Sequence, residues 1–315
     1  TGFDFEAVAS VIEQRSGIPC FGFPTTGMNT YVHGASMALA GIAERFVDDP
    51  ADRTICEGST LNMSARQLAS VLDNCCMRPN GIKVNILGLT PLDFALNGTD
   101  ESIAQWLERE GFEVVSRWAM GSSLDEIRLS AEADVNLVVS VTGLPAAEYF
   151  YEAFGIPYVI GLPCGEKAIE TLQDRILTAA RTKENGSLFE KTDPANVGEQ
   201  RENGQQTGET YRLIGEPVHC ASIRYYLENE LGTSDVKILC PLEEDGGILR
   251  ADDVSATGEE AITAFLNSGA VVVADPVYKR VVNDRIRFID DPHDAYSGRM
   301  YHDRGWVFIG KVHKF

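Results

Sequence analysis

The chain has 315 residues, 44% hydrophobic and 23% charged, an ordinary globular composition that can bury ample core without disulfides or zinc. Its 47 acidic against 27 basic residues give a formal charge of −20, a field that repels phosphate backbones and anionic lipid and so excludes general nucleic-acid binding. No apolar run reaches the ~18 residues of a membrane span, and at ~150 residues per domain the length predicts about two domains.

The 7 cysteines are odd in number and form no pair of Cys-x-x-Cys units, which predicts a reducing, cytoplasmic setting. The first residue is Thr1, and no signal peptide follows it. Along the chain, Phe5 to Ser16 reads as a helix, Ile18 to Phe23 as a strand and His33 to Phe46 as a helix. That first stretch, 1–80, has too few strands for a domain of its own and reads as the remainder of an earlier one.

From Lys83 the pattern alternates. Lys83 to Gly88 is a short apolar strand, Ser102 to Glu110 a helix capped by Thr99, and Phe112 to Trp118 the next strand. Ser123 to Leu129 reads as a short helix, and Val135 to Val139 as a near-continuous apolar strand of the kind that parallel sheets bury. Pro145 to Phe154 is helical, Pro157 to Gly161 a strand and Glu166 to Arg181 a helix. Lys183 to Thr210 holds few large apolar residues and many Glu, Gln, Asn and Gly, so it reads as a linker or mobile insertion. After it come a strand at Tyr211 to Gly215, a helix at Val218 to Leu231 and a strand at Val236 to Leu239. A helix at Glu259 to Asn267 and a strand at Ala270 to Ala274 complete the second block. The expected fold is α/β: two successive Rossmann-like, doubly wound parallel sheets, over 81–182 and 211–315, after part of a preceding domain.

Such sheets bind ligands at the carboxyl ends of their strands. That places the loops 24–32, 89–98, 119–123, 140–145, 162–165, 215–219 and 275–278 on the cleft, with Thr26 and Gly27, Gly121 and Ser122, and the strand ends Ser140 and Cys164 as candidates. No Gly-x-Gly-x-x-Gly, Walker A or Gly-x-Ser-x-Gly motif appears, so neither dinucleotide binding, ATP binding nor a nucleophile elbow is indicated. His33 has two readings, a proton or hydrogen-bond donor in the cleft or an exposed helix-start residue. Cys164 precedes a helix whose N-terminus favours a thiolate, so it either ligates a metal or fills a strand end. His293 stands among three Asp residues, either as a metal ligand or as a solvated loop side chain. The other cysteines read as core.

The ordered segments SGIPCFGFPTTGMNTYVHGASMALAGIAERF, KVNILGLTPLDF, GFEVVSRWAMGSSLDEIRLS, ADVNLVVS, FGIPYVIGLPCGEKAIETL and DDPHDAYSG resemble the nitrogenase component 1-type oxidoreductase superfamily. The resemblance covers nearly the whole chain. It implies a cytoplasmic, nitrogenase-like reductase subunit in a homo- or hetero-oligomer with a related subunit. It also implies electron supply from an ATP-driven iron-sulfur reductase, and neither nucleic acid nor membrane as partner. TGFDFEAV resembles the stretch just after the family's third bridging-cluster cysteine, so the resemblance puts the iron-sulfur ligands upstream of Thr1, with none expected in this chain alone. Ser140 stands where the nitrogenase catalytic subunit has the cysteine that holds one end of its cofactor, and His293 resembles the imidazole at the far end. A hydroxyl is a poor ligand for soft iron, which argues against dinitrogen reduction. A non-catalytic metallocofactor or metal-chelate carrier of the same architecture is the alternative. The resemblance further predicts that His33, Ser140, Cys164 and His293 line one pocket.

Overall fold

A computed structural model describes residues 4–25, 27–50, 81–189, 208–242, 244–301 and 309–310. Two helices open it, α1 (Phe5–Ser16) and α2 (Tyr31–Phe46), the second capped by Thr30, whose hydroxyl accepts from the His33 N–H. The described residues between them form no strand. Phe21 and Phe23 stack edge-on at 5.1 Å and Phe21 meets Phe46 at 5.7 Å, so this apolar run covers α2 instead of pairing with a neighbour.

The first sheet contains β1 (Lys83–Leu87), β2 (Glu113–Arg117), β3 (Val135–Val138), β4 (Tyr158–Ile160) and β5 (Gly186–Ser187), in the order β2-β1-β3-β4-β5. All its pairings are parallel. Its helices are α3 (Pro91–Phe94), α4 (Thr99–Arg109), α5 (Leu124–Arg128), α6 (Leu144–Phe154) and α7 (Glu166–Thr182). Helix α4 begins at Thr99 itself. Asn97 Oδ1 accepts from both the N–H and the hydroxyl of Thr99, which pulls the start back from the expected Ser102. The first sheet also runs past the expected boundary at 183: Gly186–Ser187 pairs with β4 and Leu188 is buried, because Leu188 and Phe189 supply apolar anchorage that average composition concealed. The rest of the expected linker, 190–207, lies outside the described residues, as do Cys56, Cys75 and Cys76.

The second sheet contains β6 (Thr210–Ile214), β7 (Asp235–Cys240), β8 (Val254–Ser255), β9 (Val271–Ala274) and β10 (Arg287–Asp290), again all parallel, in the order β10-β9-β6-β7-β8. Helices α8 (Pro217–Asn229), α9 (Glu259–Leu266) and α10 (Asp294–Ser297) belong to it. Strands β8 and β10 were not expected. The first is two residues long, and the second is an edge strand whose Arg and Asp ends hide its apolar centre. No helix among the described residues is long and apolar enough to cross a membrane.

Strand order fixes where a site can form. In the first sheet the chain leaves β1 toward β2 on one side and leaves β3 toward β4 on the other, so a crevice opens between the ends of β1 and β3. In the second sheet the same reversal falls between β6 and β9. Gly88, at φ +95°, lets the loop after β1 approach the loop after β3: a Cβ there would lie 2.9 Å from the Ser140 carbonyl oxygen. One hydrophobic core then runs through both sheets, from Val84, Leu137 and Leu172 to Leu213, Ile223 and Val273.

Candidate functional site

The loops at the two crevices meet, and Asp93 lies at their junction. It enters on α3, whose cap Thr90 accepts from the Asp93 N–H at 3.2 Å and returns its own hydroxyl proton to Asp93 Oδ2 at 2.7 Å. Ser140, from the loop after β3, donates to the same oxygen at 2.7 Å, with the Thr142 hydroxyl at 2.9 Å from Ser140. Tyr31, from the first turn of α2, donates its phenol proton to Asp93 Oδ1 at 2.6 Å. From the second sheet, His293 brings Nε2 to 3.3 Å of Oδ1, an ion-pair separation rather than a directed hydrogen bond. The His293 backbone is pinned by its N–H to Asp275 Oδ2 at 2.8 Å, at the end of β9. The Tyr296 ring lies 4.5 Å from the imidazole, and its buried hydroxyl finds no hydrogen-bond partner among the described residues.

A second carboxylate sits close by. Glu216 caps α8 and is almost wholly buried. It accepts from the His219 N–H at 2.7 Å and, across the junction of the sheets, from the Val141 N–H at 2.8 Å. Burial, reinforced by the negative charge of Asp93, pushes its pKa up to about 7. Asp93 goes the other way. Burial raises its pKa, but His293, Tyr31 and Ser140 outweigh that and hold it below its ordinary value. Burial and the Asp93 charge push the Tyr31 phenol well up. Two neighbouring carboxyl groups with pKa values driven apart are suited to one holding a proton near neutrality while the other stays ionised.

The structure gathers some of the expected site residues and separates others. Ser140 and His293 converge on Asp93. His33 does not join them: it is half-exposed on α2, with Nδ1 3.6 Å from Glu244 Oε1. Cys164 is fully buried in the core, and burial, then the charges of Glu230 and Asp291, push its thiol far above the ordinary value, so the helix that follows does not make it a thiolate. The four residues expected in one pocket therefore divide among a polar seam, an open cavity and the core. Gly121 and Ser122 lie at the end of edge strand β2, where Arg117 donates from Nη2 to the Gly121 carbonyl at 3.0 Å and from its backbone N–H to Ser122 Oγ at 2.5 Å. Gly27 is in an exposed turn, and Thr26 lies outside the described residues. Sequence reasoning put the loops that carry Tyr31, Asp93 and Glu216 on the cleft but singled out none of the three residues. The TPLD and GEP strings look like helix starts, which they are, and nothing in their spacing marks the two carboxylates as neighbours.

This donor set does not fit an iron-sulfur cluster. Ser140 and His293, expected at opposite ends of a cofactor, share one carboxylate, and hydroxyl and carboxylate oxygens are hard ligands. Burial also raises the Cys220 thiol and pushes Cys240 up to about 12. No group of three or more His, Cys, Asp or Glu residues placed to hold a metal occurs among the described residues.

Residues 1–259 match the family described as nitrogenase component 1 type oxidoreductase, a span that stops short of β9, β10 and His293. One of the subunits of the light-independent protochlorophyllide reductase of Prosthecochloris aestuarii (strain DSM 271 / SK 413) is 36% identical over 107 residues, taking in 32% of this chain and 20% of that protein. Among solved structures, nitrogenase Cp1 at pH 6.5 superposes with a TM-score of 0.50 at 13% identity, over 84% of this chain and 58% of that one. Nitrogenase Cp1 at pH 5 gives a TM-score of 0.43 at 13% identity, over 94% and 49% of the two chains. The chain thus spans well under two thirds of the relatives it matches. With most of its length covered by the family and its two parallel five-stranded sheets in the same fold, the chain belongs to the nitrogenase component 1 type oxidoreductases.

Proposed function

We propose that this chain is a component 1 subunit of a nitrogenase-like reductase, fed by an ATP-driven iron-sulfur reductase and acting on a substrate other than dinitrogen. The observation that carries this reading is the pair of buried carboxyl groups at the meeting of the two sheets, Asp93 lowered and Glu216 raised to about 7. Reduction of an organic substrate consumes protons along with electrons, and a water-poor seam must supply them from side chains. Glu216 holds such a proton near neutral pH. Asp93, ionised and fixed by four hydroxyls, orients Tyr31 and Ser140 and lies against the His293 imidazole. The seam offers oxygens and one imidazole but no thiolate, so its part is to hold and place protons and not to ligate an iron-sulfur cluster.

The test is electron uptake. The protein is purified anaerobically from cells that make it, with any cofactor and partner subunit it carries, and mixed with a dithionite-reduced, ATP-dependent iron-sulfur reductase of the family, whose reoxidation is followed by its visible absorbance. ATP-dependent reoxidation that requires this chain supports the reductase. Reoxidation no faster than without the chain refutes it and leaves the carrier alternative. In an active system, Glu216→Gln slows substrate turnover about 10²-fold at neutral pH, the usual worth of a positioned proton donor.

A further inference from the structure

A cavity of about 370 Å³ opens where three parts of the chain meet, on the far side of the Ser140–Val141 loop from Asp93. Its apolar walls come from Met37 and Ala40 on α2 and from Leu144 and Pro145 at the start of α6, above the buried Val141. The loop after β7 closes it with Glu244 and Gly246. Gly246 stands at φ +61°, and a Cβ there would press to 3.3 Å of Leu144 and Val141, so the loop crosses the cavity edge with bare backbone. The closure is fastened: the Thr30 hydroxyl donates to Glu244 Oε2 at 2.5 Å, and His33 lies 3.6 Å from the other oxygen. Sites where separate units converge on an apolar hollow with a few polar groups are where small ligands bind.

The polar groups decide the ligand's sign. Glu148 is exposed at the mouth and has no ion-pair partner among the described residues. Glu244 adds a second carboxylate, only loosely offset by His33. An anion entering here would meet two carboxylates on a chain already carrying −20. A compact apolar body ending in an ammonium would bury the body against Met37, Ala40 and Leu144 and place its charge between Glu148 and Glu244.

We propose that this cavity is a binding site for a small organic cation, a primary amine on a compact ring or branched alkyl body. The proposal goes beyond the reductase reading and does not depend on it, since binding needs neither partner protein nor electrons. The test uses the full chain with [methyl-13C]methionine, the Met37 resonance being assigned through Met37→Leu. Benzylamine, benzyl alcohol and benzoate are titrated separately. Benzylamine should shift the Met37 methyl saturably and bind about five- to tenfold more tightly than benzoate, as two partly exposed ion pairs allow. Glu148→Gln, a surface change that leaves the fold intact, should shrink that preference while benzyl alcohol binding stays unchanged. Ala40→Phe, which fills the hollow, should abolish all three. Absence of a saturable Met37 shift with benzylamine overturns the proposal, and so does equal affinity for benzylamine and benzoate.

Discussion

Asp93 takes four hydroxyl donors and faces an imidazole, so its charge holds together groups from α2, both sheets and the loop between Ser140 and Thr142. Asp93→Asn keeps the shape but turns an amide N–H₂ toward hydroxyl donors and removes the carboxylate that Tyr31, Thr90 and Ser140 share. We expect a loss of about 3 kcal/mol, read as a lower urea midpoint at unchanged slope. Glu216 gives a prediction of opposite sign in pH. Its folded-state pKa is raised from 4.5 to about 7, so the folded form holds a proton that the unfolded form has released. The associated stability is complete below pH 4.5 and is lost as pH rises to about 7, by about 3 kcal/mol. Glu216→Gln should flatten this slope in urea unfolding curves measured across that range, and an undiminished slope in the variant would assign it elsewhere. Asp93, lowered, acts at the other end: its contribution disappears only on acidification through its folded value. Of this chemistry, Ser140 could be read from the chain because it follows a strand at a crevice, and His293 only through the family resemblance of DDPHDAYSG, since the edge strand before it was not expected. Asp93 and Glu216 could not be singled out, because a carboxylate in the first turn of a helix or at its cap is ordinary local chemistry until the tertiary fold buries it.

At the scale of elements, the buried strands were the most legible part. VNIL and VNLV are near-continuous apolar runs that only a sheet covered on both faces can use, and β1 and β3 pair in parallel as expected. Ile18 to Phe23 looks as apolar, yet its aromatic rings found a helix to cover, and periodicity alone cannot separate the two outcomes. The contact that joins the two crevice loops rests on a residue the sequence does not mark. Gly143 has ordinary helical angles, so its freedom of φ is not in use. What matters is space: a Cβ there would lie 2.6 Å from the Leu87 carbonyl carbon and 2.7 Å from the Gly88 nitrogen, both backbone. Gly143→Ala must therefore push the start of α6 off β1, at about 2 kcal/mol. The same displacement moves Ser140 from Asp93, so the variant should weaken the pH dependence set by Asp93 and Glu216 as well as the stability. A thermal midpoint equal to that of the parent chain would show that the loop yields freely.

For the whole molecule, the alternating pattern predicts two consecutive sheets, and two sheets form, but not two independent cores. The main apolar cluster passes from Val84 and Leu137 through Leu162 and Leu172 to Leu213, Ile223 and Val236. Polar contacts follow the same path: Ser222 Oγ accepts from the Leu162 N–H at 3.0 Å, and Thr171 and Tyr225 hydroxyls meet at 2.9 Å. Exposing either sheet alone would strip apolar area from the other, at roughly 25 cal/mol for each Å² uncovered, so the two should unfold together. The chain carries its own probe for this. Trp106 and Trp118 are buried in the first unit. With Trp306→Phe as background, fluorescence then reports that unit alone, since the chain has 3 tryptophans. Ile223 lies on α8 of the second unit and is fully buried. Ile223→Ala should cost about 2–5 kcal/mol. If the core is shared, it should lower the fluorescence midpoint of the first unit by as much as it lowers the circular dichroism midpoint of the whole. A fluorescence transition that stays in place while the dichroism splits into two steps would mean that the sheets are separate folding units, and that the Asp93–His293 seam closes only after both have formed.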